Sequence, residues 1–253
     1  MRFILFALLI SLNTAVLGQI KDTAGTKPAV LIIAAHPDDW EYSMGGTAFL
    51  MKDKYNIHIA LASKGERGLS EEPSTKTAEI RVMEAECSAQ MVNGTLHFLD
   101  KTDGEIYADK DAVDKLVKLL LDLQPEIIFV HWPIDKPDHA AAANMAHIAL
   151  SKTGMIYDHE IYFFDAGHLT TSTQFTPQIF VNTTSVWDIK QKLIRCHKCQ
   201  NPDDVLVKEA YETDKAYGAL NRTKYAEGFI PEYPLSGGRW DTNKKIRCSL
   251  LDL

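Results

Sequence analysis

The run Ala29 to Ala35 carries no polar side chain, and it ends at His36 and Pro37. A short, wholly apolar run bounded by a proline reads as a strand buried on both faces, the kind found inside a parallel sheet. The residues that follow, AHPDDWEYSMGG from Ala35 to Gly46, read as a helix start. His36, Asp38 and Asp39 therefore stand where a strand hands over to a helix, which is where open α/β sheets bind ligands. A second apolar run, Glu126 to Val130, is followed by Asp135-Lys136-Pro137-Asp138-His139.

The rest of the chain repeats this alternation. Strands are expected at Ile57 to Ser63, Leu96 to Leu99, Glu126 to Trp132, Glu160 to Asp165 and Gln178 to Asn182. Helices are expected at Thr75 to Val92, Ala112 to Leu123, Asp138 to about Ser151, Val186 to His197 and Val205 to Ala226, with Phe229 to Leu253 mostly loop. The pattern predicts one α/β domain, a Rossmann-like and mostly parallel sheet with helices on both faces. A dinucleotide site is not supported, because no G-x-G-x-x-G follows the first strand. A G-x-S-x-G nucleophile elbow is absent as well.

Residues 1–18 read as a secretory signal peptide, which leaves 19–253 as the domain. Arg2 precedes a nearly apolar stretch from Phe3 to Leu17, and Val16 and Gly18 are small enough for the cleavage positions. The expected location is secreted or periplasmic, with no stable membrane span after cleavage. A net charge of -7 gives no electrostatic reason to bind nucleic acid. Cys87, Cys196, Cys199 and Cys248 admit structural disulfides, among them a pair between Cys196 and Cys199.

His and Asp side chains suit zinc and similar divalent transition metals. His36 and Asp39 share one loop, and His139 comes from the second strand end. Three such ligands leave a position open for water, as catalytic zinc requires. Asp38 is adjacent and suits a general base, although it also stands where a helix cap would. Gly45 and Gly46 lie inside a helix, where close packing against sheet or ligand would account for them.

These motifs resemble those of the PIG-L/LmbE-like family of zinc-dependent de-N-acetylases. The resemblance rests on Ala35-His36-Pro37-Asp38-Asp39 with Gly45-Gly46, and on Pro137-Asp138-His139. Supporting pieces are Lys64-Gly65-Glu66, Arg81 to Glu84, His197 to Gln200 and Tyr225 to Phe229. It implies that His36, Asp39 and His139 are the zinc ligands and Asp38 the base. It also implies hydrolysis of the acetamide of an N-acetylated amino sugar or its glycoconjugate. Many members carry His before P-D-H, where this chain has Lys136. Lys136 and His197 are therefore the candidates for stabilising the oxyanion or donating a proton. Arg81, Glu66 and Trp132 are candidate substrate contacts, with Tyr107 and His168 as further sugar-facing walls. The alternatives are a hydrolase of another N-acyl substrate and a catalytically weakened, secreted carbohydrate-binding protein.

Overall fold

Strand β1, Ala29–Ala34, is buried from its second residue onward because both its faces are covered. The structure is a computed structural model that describes residues 27–70, 73–166, 174–232 and 248–253; the expected signal segment lies outside them. Val30, Ile32 and Ala34 pack on one side with Trp40, Met44 and Leu193. Leu31 and Ile33 pack on the other with Leu116, Leu120 and Ala146.

β1 pairs in parallel with β2, Asn56–Ser63, on one side and with β4, Ile127–His131, on the other. Strand β3, Thr95–Lys101, lies outside β2, and β5, Glu160–Phe164, lies outside β4, both parallel. The full order is β3-β2-β1-β4-β5-β7-β6, with β6 at Ile179–Asn182 and β7 at Ala226–Pro231. Helices α1 (Asp39–Met51), α2 (Thr75–Met91), α3 (Lys110–Leu123), α4 (Pro137–Thr153), α5 (Trp187–Arg195) and α6 (Val205–Asn221) cover the faces. The chain leaves β1 toward β2, while β4 lies on the opposite side. The carboxyl ends of β1 and β4 thus flank a topological switch point.

The C-terminal part corrects the expectation from sequence. Helix α6 stops at Asn221, where Arg222 takes a left-handed conformation at φ 58°. The following residues form β7, which is buried throughout and runs antiparallel to both β5 and β6. Gly228 permits this, since a Cβ there would lie 2.7 Å from Pro177 Cγ.

Strand β7 also carries Glu227, which reaches into α1. That helix is interrupted at Met44, with φ -142° and ψ 20°. The interruption frees the N–H groups of Gly46 and Thr47, and both donate to the Glu227 carboxylate, at 2.8 and 2.6 Å. Lys190 balances this buried charge, 2.8 Å from Glu227 and 2.8 Å from Asp214. Burial, reinforced by Glu227, pushes the Asp214 carboxyl up to about 8 despite Lys190. Two buried carboxyl groups thus share one ammonium. The two glycines of α1 are explained by close packing. A Cβ on Gly45 would lie 3.2 Å from Leu193, and one on Gly46 would lie 2.8 Å from Thr183.

Cys87 of α2 is bonded to Cys196, just past α5, with a Cα–Cα distance of 5.8 Å. This replaces the Cys196–Cys199 alternative, and Cys199 and Cys248 are free.

Candidate metal centre

The loop between β1 and α1 is tight. Asp38 has φ 102°, a left-handed conformation that is costly for a residue with a side chain. Its side chain makes no capping bond to α1, so the helix-cap reading is corrected. Its Oδ2 instead accepts from Arg81 Nη2 at 2.8 Å, and the same guanidinium donates to Pro37 O. Arg81 is buried on α2, so it clamps the loop from below the cavity.

This turn brings His36 and Asp39 together, and α4 adds His139. One donor atom from each lies within 4.8 Å of the others. Asp39 Oδ1 lies 3.3 Å from His139 Nε2, and its Oδ2 lies 3.6 Å from His36 Nδ1. Asp39 Oδ2 also accepts the His36 backbone N–H at 2.7 Å, which fixes the carboxylate in the turn.

Each imidazole is held by its far nitrogen. His139 Nδ1 lies 3.0 Å from Asp135 Oδ2. His36 Nε2 lies 3.1 Å from Asp103 Oδ1 and 3.2 Å from Asp138 Oδ2. Carboxylates on the far nitrogens fix both rings with the near nitrogens turned toward Asp39. Histidine ligands of a metal are typically set in this way.

Electrostatics agree with a cation at this point. Burial opposes charge on His139, but Asp39 and Asp135 outweigh it and hold the imidazole at about 9. Burial likewise opposes charge on His36, yet Asp103, Asp138 and Asp39 hold it well above the ordinary value. Burial works against the Asp39 carboxylate, but His139 keeps it well below the usual range. Without a metal, protons on the two imidazoles offset part of the carboxylate charge; a divalent ion would take the place of those on the near nitrogens. The donor set thus fits zinc or a related divalent ion. The Asp38 carboxyl is raised by burial, which Arg81 offsets only in part.

These groups open into a cavity of about 820 Å³. His36, Asp38, Asp39, Arg81, Lys136 and His139 are all on its wall. Lys136 stands immediately before α4 at the mouth. The remaining candidates lie elsewhere. Glu66 is off the wall, and its Oε1 accepts the Asp103 N–H at 3.2 Å, so it braces the loop that holds His36. Trp132 is turned away and packs edge-on against Phe163 and Phe175, which corrects its reading as a contact in this cavity. His197 is also corrected. It is fully buried, its Nε2 is 2.7 Å from Glu41 Oε1, and it does not reach the wall. Tyr107 is 66% exposed and off the wall. His168 lies outside the described residues.

The sequence motifs assign no role to Asp103, His131 or Asp135. Asp103 sits beyond β3, outside both motifs. His131, the last residue of β4, is wholly buried; its Nε2 accepts the Ala35 N–H at 3.0 Å and lies 3.1 Å from Asp39 Oδ2. Burial, with His139 beside it, pushes His131 down to about 4, so it stays neutral. No spacing rule links these residues to the two motifs.

Comparison with known proteins places this geometry. A profile of the PIG-L family, described as GlcNAc-PI de-N-acetylase, matches residues 31–150. A diacetylchitobiose deacetylase of Thermococcus kodakarensis is 28% identical over 80% of this chain and 83% of its own length. A 4-oxalmesaconate hydratase of Pseudomonas putida is 26% identical over 81% of this chain and 90% of its own. Among solved structures, the N,N'-diacetylchitobiose deacetylase of Pyrococcus horikoshii superposes with a TM-score of 0.70 at 25% identity, over 80% of this chain and 83% of its own.

Proposed function

We propose, from the membership of this chain in the PIG-L/LmbE-like family, that it removes the acetyl group from an N-acetylglucosamine-containing substrate with zinc as cofactor. The chain is a metal-dependent amidohydrolase by its family and its donor cluster. One observation carries the reading. Two carboxylate-held imidazoles face Asp39, and the clamped Asp38 stands beside them on the same wall.

His36, Asp39 and His139 would hold the ion. Zinc bound there supplies Lewis acidity toward water and toward a carbonyl oxygen. The chain's own groups do the rest. Arg81 occupies Asp38 Oδ2, leaving Oδ1 to accept the proton of the attacking water. A carboxyl raised by burial is suited both to taking that proton and to giving it to the departing nitrogen. Lys136, with no ion pair among the described residues, would meet negative charge developing on the carbonyl oxygen. The products are acetate and a free amine.

The cavity's cations favour this chemistry over hydration of a carboxylated substrate such as the hydratase relative's name implies. Arg81 is committed to Asp38 at 2.8 Å and Arg67 to Glu105 at 2.5 Å. Among the described residues, Lys136 alone of the Lys and Arg side chains on the wall is left to meet a substrate carboxylate. Secretion is part of the proposal: the apolar stretch from Phe3 to Leu17 and the Cys87–Cys196 disulfide suit an oxidising compartment. No helix among the described residues is long and apolar enough to cross a membrane.

Zinc-loaded protein should release acetate from free or conjugated N-acetylglucosamine and should not hydrate 4-oxalmesaconate. Asp38→Asn should lower the rate by about 10²–10⁴-fold with zinc still bound. Release of no acetate from any acetylated amino sugar, or an unchanged rate in Asp38→Asn, would sink the assignment.

A further inference from the structure

The sheet parts at the seam between β1 and β4. Their ladder ends at Ile33 and Val130. Toward β2, the ladder of β1 runs to Ala34, and the Ser63 N–H still donates to Ala35 O at 3.0 Å. Toward β5, the ladder of β4 includes His131, and the Trp132 N–H still donates to Phe164 O at 2.9 Å. The two strands separate from each other while each keeps its other neighbour. This parting is the crevice of the switch point. A continued ladder would hold the strands about 4.8 Å apart, with no room for a ring between them.

The His131 side chain occupies the parting. Its ring is stacked on His139 at 4.3 Å and 17°, and it meets Phe164 at 4.6 Å. Its Nε2 accepts the Ala35 N–H across the seam at 3.0 Å and lies 3.1 Å from Asp39 Oδ2. One wholly buried side chain therefore touches the strand end that leads into His36, the Asp39 carboxylate and the His139 ring. A side chain that only filled the core would be apolar. His131 Nδ1 is buried with no hydrogen-bond partner among the described residues, and such an atom costs stability.

We infer that His131 is a positioning residue: it wedges β1 from β4 and sets the spacing between His36 and Asp39 on one side and His139 on the other. It binds no ion itself and acts on the three side chains that would. The inference rests on the proposed metal centre and adds to it a residue outside both sequence motifs.

Zinc affinity of the chelator-stripped, full-length protein, read by competition with a chromophoric chelator, tests this without substrate. His131→Leu keeps an apolar filling of similar bulk but removes the acceptor. It trades the unpaired Nδ1 for an unpaired Ala35 N–H, so denaturant unfolding of the metal-free protein should hardly change. Zinc should nevertheless bind about 10–100-fold more weakly. His131→Gln returns an oxygen that can accept the Ala35 N–H, and it should recover most of that affinity. A residue that merely filled the core would give the opposite order, with Leu tolerated and Gln not. Zinc binding by His131→Leu equal to that of the unmodified protein overturns the inference. So does no recovery in His131→Gln, or a fall in affinity matched by a fall in metal-free stability. Absence of zinc binding in the unmodified protein overturns the metal centre itself, so the two failures are told apart.

Discussion

Replacing Asp135 by Asn isolates one charge in the metal centre. Asp135 Oδ2 lies 3.0 Å from His139 Nδ1, and the carboxylate side chain is fully buried. Its Oδ1 accepts the Lys136 N–H at 2.6 Å. Asn has nearly the same shape but a single acceptor oxygen, so it can keep the His139 bond while its NH2 faces the Lys136 N–H. At His139, what is lost is the charge on the acceptor. A charge-assisted hydrogen bond contributes about 1.5–3 kcal/mol and a neutral one about 0.5–1.5. The difference, about 1–2 kcal/mol, corresponds to roughly 5- to 30-fold weaker zinc binding. The pH dependence follows in sign. His139 is held at about 9 in the metal-free protein, so a proton competes with the ion below that pH. Apparent affinity should rise with pH and level off near that value. The same proton stabilises the metal-free fold fully below the unfolded value, and that stabilisation is lost as pH rises toward about 9. Removing the Asp135 charge should bring the affinity plateau to lower pH. Competition with a chromophoric chelator between about pH 6 and pH 9 reads both effects. An affinity and pH profile identical to the unmodified protein would refute the claim that Asp135 sets His139 as a ligand.

Three further outcomes are expected. Lys190→Met strands Asp214 and Glu227 without a countercharge and should cost about 3–5 kcal/mol in denaturant unfolding. The Asp214 carboxyl is raised to about 8, so the folded state takes up a proton relative to the unfolded chain. The stabilisation from that proton is full in acid and lost as pH rises through that value, so stability curves should decline toward pH 8 in the unmodified protein. Cys87→Ser should lower stability by about 2–4 kcal/mol in non-reducing conditions, and reductant should bring the unmodified protein to the same level.

The metal ligands were legible because strand-end His and Asp residues come in short local runs, and the parallel sheet brings the ends of β1 and β4 side by side. The residues that hold the ligands were not. Asp103 reaches His36 only because β3 and the loop after it lie on the same edge of the sheet. His131 is the last residue of an apolar strand and looks like a core residue, which in part it is. Strand β7 escaped notice for a different reason. The stretch from Phe229 onward read as mostly loop, and a strand buried on both faces shows no alternation. His197 drew attention through its motif, but its partner Glu41 lies 156 residues away in sequence. The disulfide partner of Cys196 was equally hidden, because spacing favoured the nearby Cys199.

The Cys87–Cys196 bond turns the middle of the chain into a covalent ring with a tail at each end. Strands β3, β4, β5 and β6 belong to the ring. Strands β1 and β2 belong to the N-terminal tail, and β7 belongs to the C-terminal one. The sheet order shows that the ring alone has two gaps: β1 and β2 slot between β3 and β4, and β7 slots between β5 and β6. His36 and Asp39 travel with the inserted N-terminal tail, whereas His139 is fixed in the ring. During refolding of the oxidised chain, zinc uptake therefore signals that this tail has been seated.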